Sequence, residues 1–146
     1  MATVFLDTET TGLDSDAQVV EVAVVDEDGS VLFESYCRPT VPVDPDAQAV
    51  HGIGSEVLVG APTWPEIADQ VREVLDGNEV VIFNAEFDTR ILIQTAAAHG
   101  DHADWVHGLA TRCAMYRAAD VYGATNRYGT ISLVNAAARA GIQLQG

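Results

Sequence analysis

Apolar positions fall into two rhythms along the chain, one of period two and one close to period 3.6. Thr3 to Asp7 is a short apolar run that ends on a carboxylate, and it predicts a buried strand. Gln18 to Asp26 and Ser30 to Arg38 are Val-rich or alternating, and they meet at Asp28-Gly29, a dipeptide that tolerates the positive φ of a tight hairpin turn. These segments predict the first three strands, laid out as a meander. Between Pro39 and Pro62 the pattern dissolves. Pro42, Pro45, Gly52, Gly54 and Gly60 punctuate an irregular stretch long enough to cross a face of the sheet.

Helical spacing then takes over. Trp64, Ile67, Ala68, Val71, Val74 and Leu75 recur on one face, Thr63 and Glu66 fit a capping box with Pro65 in the first turn, and Gly77 closes the helix. Glu79 to Phe83 reads as a fully buried strand, and Glu86 to His99 as a second helix stopped by Gly100. Further on, Ala110 to Cys113 predicts a short strand or turn and Ala114 to Val121 a helical stretch. A Gly- and Tyr-containing loop follows, and Ser132 to Ala140 predicts a last helix ended by Gly141. Strands first, then helices alternating with strands, predict an α/β three-layer sandwich around a mixed five-stranded sheet. The early hairpin disfavours a pure Rossmann sheet.

Composition narrows the class. A chain of 146 residues with 48% hydrophobic and 20% charged residues has the makings of one globular domain, 1–146, and no internal repeat divides it. Acidic residues outnumber basic ones 22 to 7, all the basic ones are Arg, and the formal charge is −15. Such a surface repels polyanions at long range, which excludes nonspecific coating of nucleic acid and binding to anionic membranes. A nucleic-acid enzyme then needs metal ions and a few Arg to supply local positive charge. A high-salt habitat and a biased genomic composition account equally for the absence of Lys. Cys37 and Cys113 lack the count of a disulfide framework and the spacing of a metal site, so a reducing cytoplasm is expected. No basic leader and no apolar run of membrane-spanning length is seen, and the chain is expected to be soluble and unprocessed.

Candidate chemistry sits at strand ends. In Phe5-Leu6-Asp7-Thr8-Glu9-Thr10-Thr11-Gly12-Leu13, residues two apart on a strand point the same way, so Asp7 and Glu9 project together. Two carboxylates that close repel. One takes up a proton, or a hard divalent cation keeps both ionised, or they simply solvate a strand end. A second apolar strand runs into Asn84-Ala85-Glu86-Phe87-Asp88 at a helix start. Asn84 and Asp88 suit an ordinary turn and first helical turn, yet adjacent strands would bring Asp88 beside Asp7 and Glu9.

Phe5 to Leu13 resembles the first motif, and Asn84 to Asp88 the second, of the DnaQ-like or DEDD exonucleases, a group that includes polymerase proofreading subunits and RNase T. Ala49-Val50-His51-Gly52-Ile53 resembles the family's V-H-G-I signature, and Gly60-Ala61-Pro62 follows at the expected distance. The resemblance covers nearly the whole chain. It implies a ribonuclease H-like fold and 3′-to-5′ phosphodiester hydrolysis at nucleic-acid ends with two divalent metal ions, Mg²⁺ or Mn²⁺. By the same likeness Asp7 bridges both metals, Glu9 binds the one that carries water, and Asp88 orients the second. Thr10, Thr11, Gly12 and Leu13 pack under the terminal nucleotide, with backbone donors gripping the 3′ end and Leu13 wedged against a base. Asn84 belongs to this substrate set. Phe87 is placed between stacking on a base and a helix-face core role, and His51 between lining the pocket and a loop hydrogen bond.

The sequence departs from the family at its end. The family's third motif carries a histidine, or a tyrosine in one branch, and five residues on a fourth metal-binding Asp. This chain stops at Gly146, where that segment should begin. Without the base, water activation is expected to lose about 10²- to 10⁴-fold. His99, His102 and His107, with Asp101, Asp104 and Asp120, have no matching spacing and read as surface groups. A fragment of a longer enzyme, an inactive relative and donation by a partner all remain explanations, with the fragment favoured. The expected ligand is a single-stranded or frayed 3′ end, with a polymerase and a second copy of the chain as the protein partners considered. The alternative is a noncatalytic end-binding or protein-binding module on the same fold.

Overall fold

A computed structural model describes residues 1–122, with side chains through 119. Within them the strands are β1 (Thr3–Thr10), β2 (Val19–Asp26), β3 (Val31–Tyr36), β4 (Glu79–Ile82) and β5 (Ala110–Cys113). The helices are α1 (Pro45–His51), α2 (Ser55–Leu58), α3 (Trp64–Leu75), α4 (Ala85–Ala97), α5 (Asp104–His107) and α6 (Ala114–Tyr122). The expected Gly- and Tyr-containing loop and the helix over Ser132 to Ala140 lie outside the described residues.

The strands form one mixed sheet in the order β3-β2-β1-β4-β5. β1 runs antiparallel to β2 and parallel to β4, which in turn pairs parallel with β5. The meander turns where sequence places it. Gly29 has φ +81, and Asp26 Oδ1 accepts from the amides of Asp28 and Ser30, so the carboxylate fills donors the turn leaves free. β1 outlasts its apolar run. Pairing with β2 carries the strand past Asp7 to Thr10, with Glu9 opposite Glu21 and a register shift between Glu9 and Thr10.

One face of the sheet is packed. Val4 and Leu6 of β1, Val22 and Val24 of β2, and Val80 and Ile82 of β4 meet Trp64, Ile67, Val71 and Leu75 of α3 and Ile91, Leu92 and Ala96 of α4. On the opposite face stand Phe5, Asp7 and Glu9, paired with Val25, Ala23 and Glu21. α6 begins the layer over that face, since Ala118 and Ala119 pack on Phe83 and the Met115 amide donates to the Phe83 carbonyl. Helices on both sides of a mixed five-stranded sheet make the α/β sandwich that the pattern predicts.

The stretch between Pro39 and Pro62 is more ordered than expected. α1 and α2 occupy it because Pro45 suits a first helical turn and Gly52, at φ +71, ends α1 in the left-handed region. α1 buries none of its side chains, so it leaves no apolar stripe in the sequence to betray it. α3 begins at Trp64 after Thr63, but the expected capping box does not form. Thr63 makes no side-chain cap, and its carbonyl accepts the Glu66 amide instead. β4 is buried on one face only, with Val80 and Ile82 inside and Glu79 and Val81 half-exposed. It stops at Ile82, short of Phe83, because pairing with β1 and β5 ends there. Gly77 and Gly100, at φ +76 each, follow α3 and α4 as the helix-stop reading requires. α5, four residues long, was not expected.

Candidate active site

The site is built where β1 leaves the sheet beside the start of α4. Asp7 is exposed and Glu9 half-buried on one face of β1, while Asp88, in the first turn of α4, is only 8% exposed. Thr8, between the two β1 acids and pointing to the other side of the strand, donates its hydroxyl to Asp88 Oδ2 at 3.0 Å. The Asp88 amide donates to the Asn84 carbonyl, which fixes the first helical turn. β1 and α4 are thereby joined at the acidic groups themselves.

Electrostatics mark the cluster. Burial pushes the Asp88 carboxyl up to about 7, the Thr8 hydrogen bond opposes that rise, and the charges of Asp7 and Glu9 add to it. Asp7 is raised by desolvation against a backbone hydrogen bond. Glu9 is raised by desolvation and then by Asp7 and Glu21, with His51 opposing. Glu21, directly across the ladder from Glu9, is raised by desolvation and by Glu34 and Asp7. The ion pair found among the described residues lies elsewhere, at Arg112 Nε to Glu79 Oε1, 3.0 Å. Among the described residues, no arginine forms an ion pair with the cluster.

The donor set suits a hard divalent cation, because carboxylate oxygens are its preferred ligands and a cation would offset the desolvation, and at Glu9 and Asp88 also the repulsion, that raise these pKa values. Among the described residues, no group of three His, Cys, Asp or Glu side chains closes around one point.

Beside the acids lies a cleft of about 490 Å³. Thr10, Gly12, Leu13, His51 and Phe87, all expected near a substrate, line it together with Glu9. Leu13 and Val50 stand on its lips, 77% and 84% exposed. Thr11 and Asn84, also expected near a substrate, do not line the cleft. Thr11 is 2% exposed, its hydroxyl accepts the Gln18 amide, and its own amide donates to the Gln18 carbonyl. Its amide donor is spent on closing the loop. Asn84 precedes α4 without capping it through its side chain and lies off the cleft wall.

His51 combines the two roles considered for it. It lines the cleft, its Nδ1 accepts the Ile53 amide at 3.0 Å, and its Nε2 donates to the Thr10 carbonyl at 2.9 Å. With one nitrogen accepting and the other donating, both ring nitrogens are held by backbone. Phe87 is half-buried, lines the cleft and carries the Arg90 guanidinium 5.4 Å from its ring centroid. His102, His107, Asp101 and Asp104 are exposed as expected. His99 is not, being half-buried at the end of α4 with its Nε2 unpartnered among the described residues. The Asp120 side chain lies outside them.

Sequence reasoning missed Thr8, Glu21, Asp44, Asp46, Val50 and Arg90 as neighbours of the site. Thr8 was legible as the residue between two acids on a strand. Glu21, Asp44, Asp46 and Val50 become neighbours only through strand pairing and the path of the chain into α1, and Arg90 through the Leu13 and Asp14 carbonyls, none of which a local pattern encodes.

Comparison with known proteins places this geometry. The RNase T exonuclease family model matches residues 4–146. The chain is 38% identical over 149 residues to an uncharacterised exonuclease, CP81, of Escherichia phage 186, covering 98% of this chain and 77% of the phage protein. It is 38% identical over 95 residues to the DNA polymerase III epsilon subunit of Escherichia coli, covering 58% of this chain and 39% of that subunit. Exonuclease X in complex with 5′-overhanging duplex DNA matches at TM-score 0.69 and 25% identity, over 98% of this chain and 75% of that one. Escherichia coli exonuclease I in complex with a dT13 oligonucleotide shares the fold at TM-score 0.73 and 18% identity, over 97% of this chain and 36% of that one. With an acidic strand end, a cleft beside it and a match along almost its whole length, the chain belongs to the RNase T exonuclease family.

Proposed function

We propose that this chain is a metal-dependent exonuclease that removes nucleotides in the 3′-to-5′ direction from single-stranded or frayed nucleic-acid ends. The observation that carries the reading is the set of carboxylates at Asp7, Glu9 and Asp88, all with raised pKa values, beside a cleft with apolar lips. In this reading Asp7, Glu9 and Asp88 are the catalytic metal ligands for two Mg²⁺ or Mn²⁺ ions. When bound, such ions supply Lewis acidity at the scissile phosphate and favour ionisation of the attacking water. The protein's own part is positional. Thr8 orients the Asp88 carboxyl, His51 holds the Thr10 backbone, and Leu13, Val50 and Phe87 give the terminal base an apolar seat. His51 does not act as the base, because both its nitrogens are engaged by backbone.

The unit 1–146 is proposed to act as one domain, in the cytoplasm. Its likeness to a polymerase subunit makes a polymerase the partner class to test, and a second copy of the chain is the other. No helix among the described residues is long and apolar enough to cross a membrane.

The test is an oligonucleotide labelled at its 5′ end, incubated with Mn²⁺ and with either the native chain or Asp7→Ala. A ladder shortening from the 3′ end, absent in the variant, supports the proposal. Equal cleavage by both proteins refutes the site. Retained binding with no cleavage by either protein supports a noncatalytic end-binding module instead.

A further inference from the structure

Arg90 stands two residues beyond Asp88 on α4, and its side chain leaves the helix to reach the cleft's lip. Its Nη2 donates to the Leu13 carbonyl at 3.0 Å and its Nη1 to the Asp14 carbonyl at 3.3 Å and to Gln94 Oε1 at 2.7 Å. The same guanidinium lies over the Phe87 ring. Gln94, one turn later, adds donors to the Asp14 and Ala17 carbonyls at 3.1 and 2.9 Å. Leu13, Asp14 and Phe87 all line the cleft.

These contacts answer a physical question that the lip poses. Leu13 is 77% exposed, so side-chain packing does not hold it in place. Its position is set by its backbone, and its carbonyl, with that of Asp14, is fastened to the helix that carries Asp88 by one planar fork. We infer that Arg90 is a positioning residue of the cleft: it holds the Leu13–Asp14 lip and the Phe87 ring in one arrangement, and so sets how tightly the cleft receives a terminal nucleotide. The ligand in this statement rests on the proposed nuclease function; the fastening itself does not. A guanidinium is required, because only a rigid fork reaches two successive carbonyls while its plane stays over an aromatic ring. An ammonium has three donors on a single nitrogen but no planar face, so it does not hold both carbonyls and the ring in this arrangement.

Two measurements test this on the whole chain. The first is amide hydrogen exchange at Asp16 and Ala17, whose amides are bonded within the lip loop, to Asp14 Oδ1 at 3.0 Å and to the Asp14 carbonyl at 3.2 Å. In Arg90→Lys and Arg90→Ala these amides are expected to exchange roughly 10-fold faster, with α3 unchanged. The second is kinetics with Mn²⁺ on a single-stranded oligonucleotide ending in a 3′ hydroxyl. KM is expected to rise roughly 5- to 20-fold in both variants, kcat to stay within about 3-fold, and the salt dependence of binding to keep its slope. Unchanged exchange at Asp16 and Ala17 overturns the inference, as does a kcat loss at constant KM. A salt slope reduced by about 1 overturns it too, because that marks Arg90 as a direct phosphate contact. Should the native chain fail to cleave, the nuclease reading falls alone, and the exchange data still decide whether Arg90 holds the lip.

Discussion

Asp88→Asn tests the electrostatic account of the cluster most directly, because it removes a charge while keeping a shape. Burial raises the Asp88 carboxyl from 3.8 to about 7. Between those values the folded protein holds a proton that the unfolded chain has released, so stability falls as pH rises through this window and levels off above it. The full gap corresponds to about 4 kcal/mol, a ceiling that relaxation and water near the helix end will lower, so an effect of roughly 2 kcal/mol is expected. Asparagine carries no charge and presents an oxygen that can accept the Thr8 hydroxyl in the same place. In EDTA, Asp88→Asn is therefore expected to raise the melting temperature at pH 8 by about 4–8 °C and to leave it nearly unchanged at pH 4.5. Asp7 and Glu9, raised for the same reason, give the native chain a slope of the same sign. Differential scanning fluorimetry at the two pH values, with urea melts as a check, reads the result. An Asp88→Asn protein less stable than the native one at pH 8, or shifted equally at both pH values, would refute the reasoning.

Other expectations follow from single contacts. Excess Mn²⁺ should raise the melting temperature of the native chain, by about 2.7 kcal/mol of stability at a hundredfold excess over Kd, and Asp7→Asn should lose most of that gain in the same fluorimetric assay. His51→Ala removes two hydrogen bonds to backbone and should cost about 1–3 kcal/mol in urea melts. Trp64 is 1% exposed with its Nε1 unpartnered among the described residues, so Trp64→Phe should cost far less than the roughly 3–5 kcal/mol expected of Trp64→Ala; near-equal losses would contradict this. A Cβ at Gly12 would meet the carboxylate of Asp44, the free end of an exposed side chain that can turn aside, so Gly12→Ala should change stability by no more than about 1 kcal/mol in urea melts.

Where local physics and global packing agree, the sequence can be read. Asp28-Gly29 demanded a hairpin, and Trp64 to Leu75 demanded a helix with one buried face; both exist. The first motif was legible because two acids at i and i+2 on a strand must share a side. Thr11 was ambiguous, because a hydroxyl at a strand end looks as available to a ligand as to its own loop, and only the fold reveals that it accepts the Gln18 amide. α1 was hidden for lack of an apolar stripe, and with it went Asp44, Asp46 and Val50 of the cleft wall. Arg90 was hidden for another reason. Its partners are carbonyls 76 and 77 positions away, and carbonyls carry no residue identity.

The outer strand of the meander bears on how this protein survives at high concentration. Among the described residues β3 pairs with β2 alone, so its far side presents backbone donors and acceptors without a strand partner among them, and Val31, Leu32 and Tyr36 are exposed along it. Such a border invites strands from other copies, the first step toward fibrous aggregation. Two features work against that. The register shift between Val24 and Val25 puts an irregularity in the ladder, and Glu34 sets a charge midway along the strand. Neutralising Glu34 would leave Val31 to Tyr36 as an uninterrupted uncharged stretch, and insolubility, rather than loss of any chemistry, would be its first symptom.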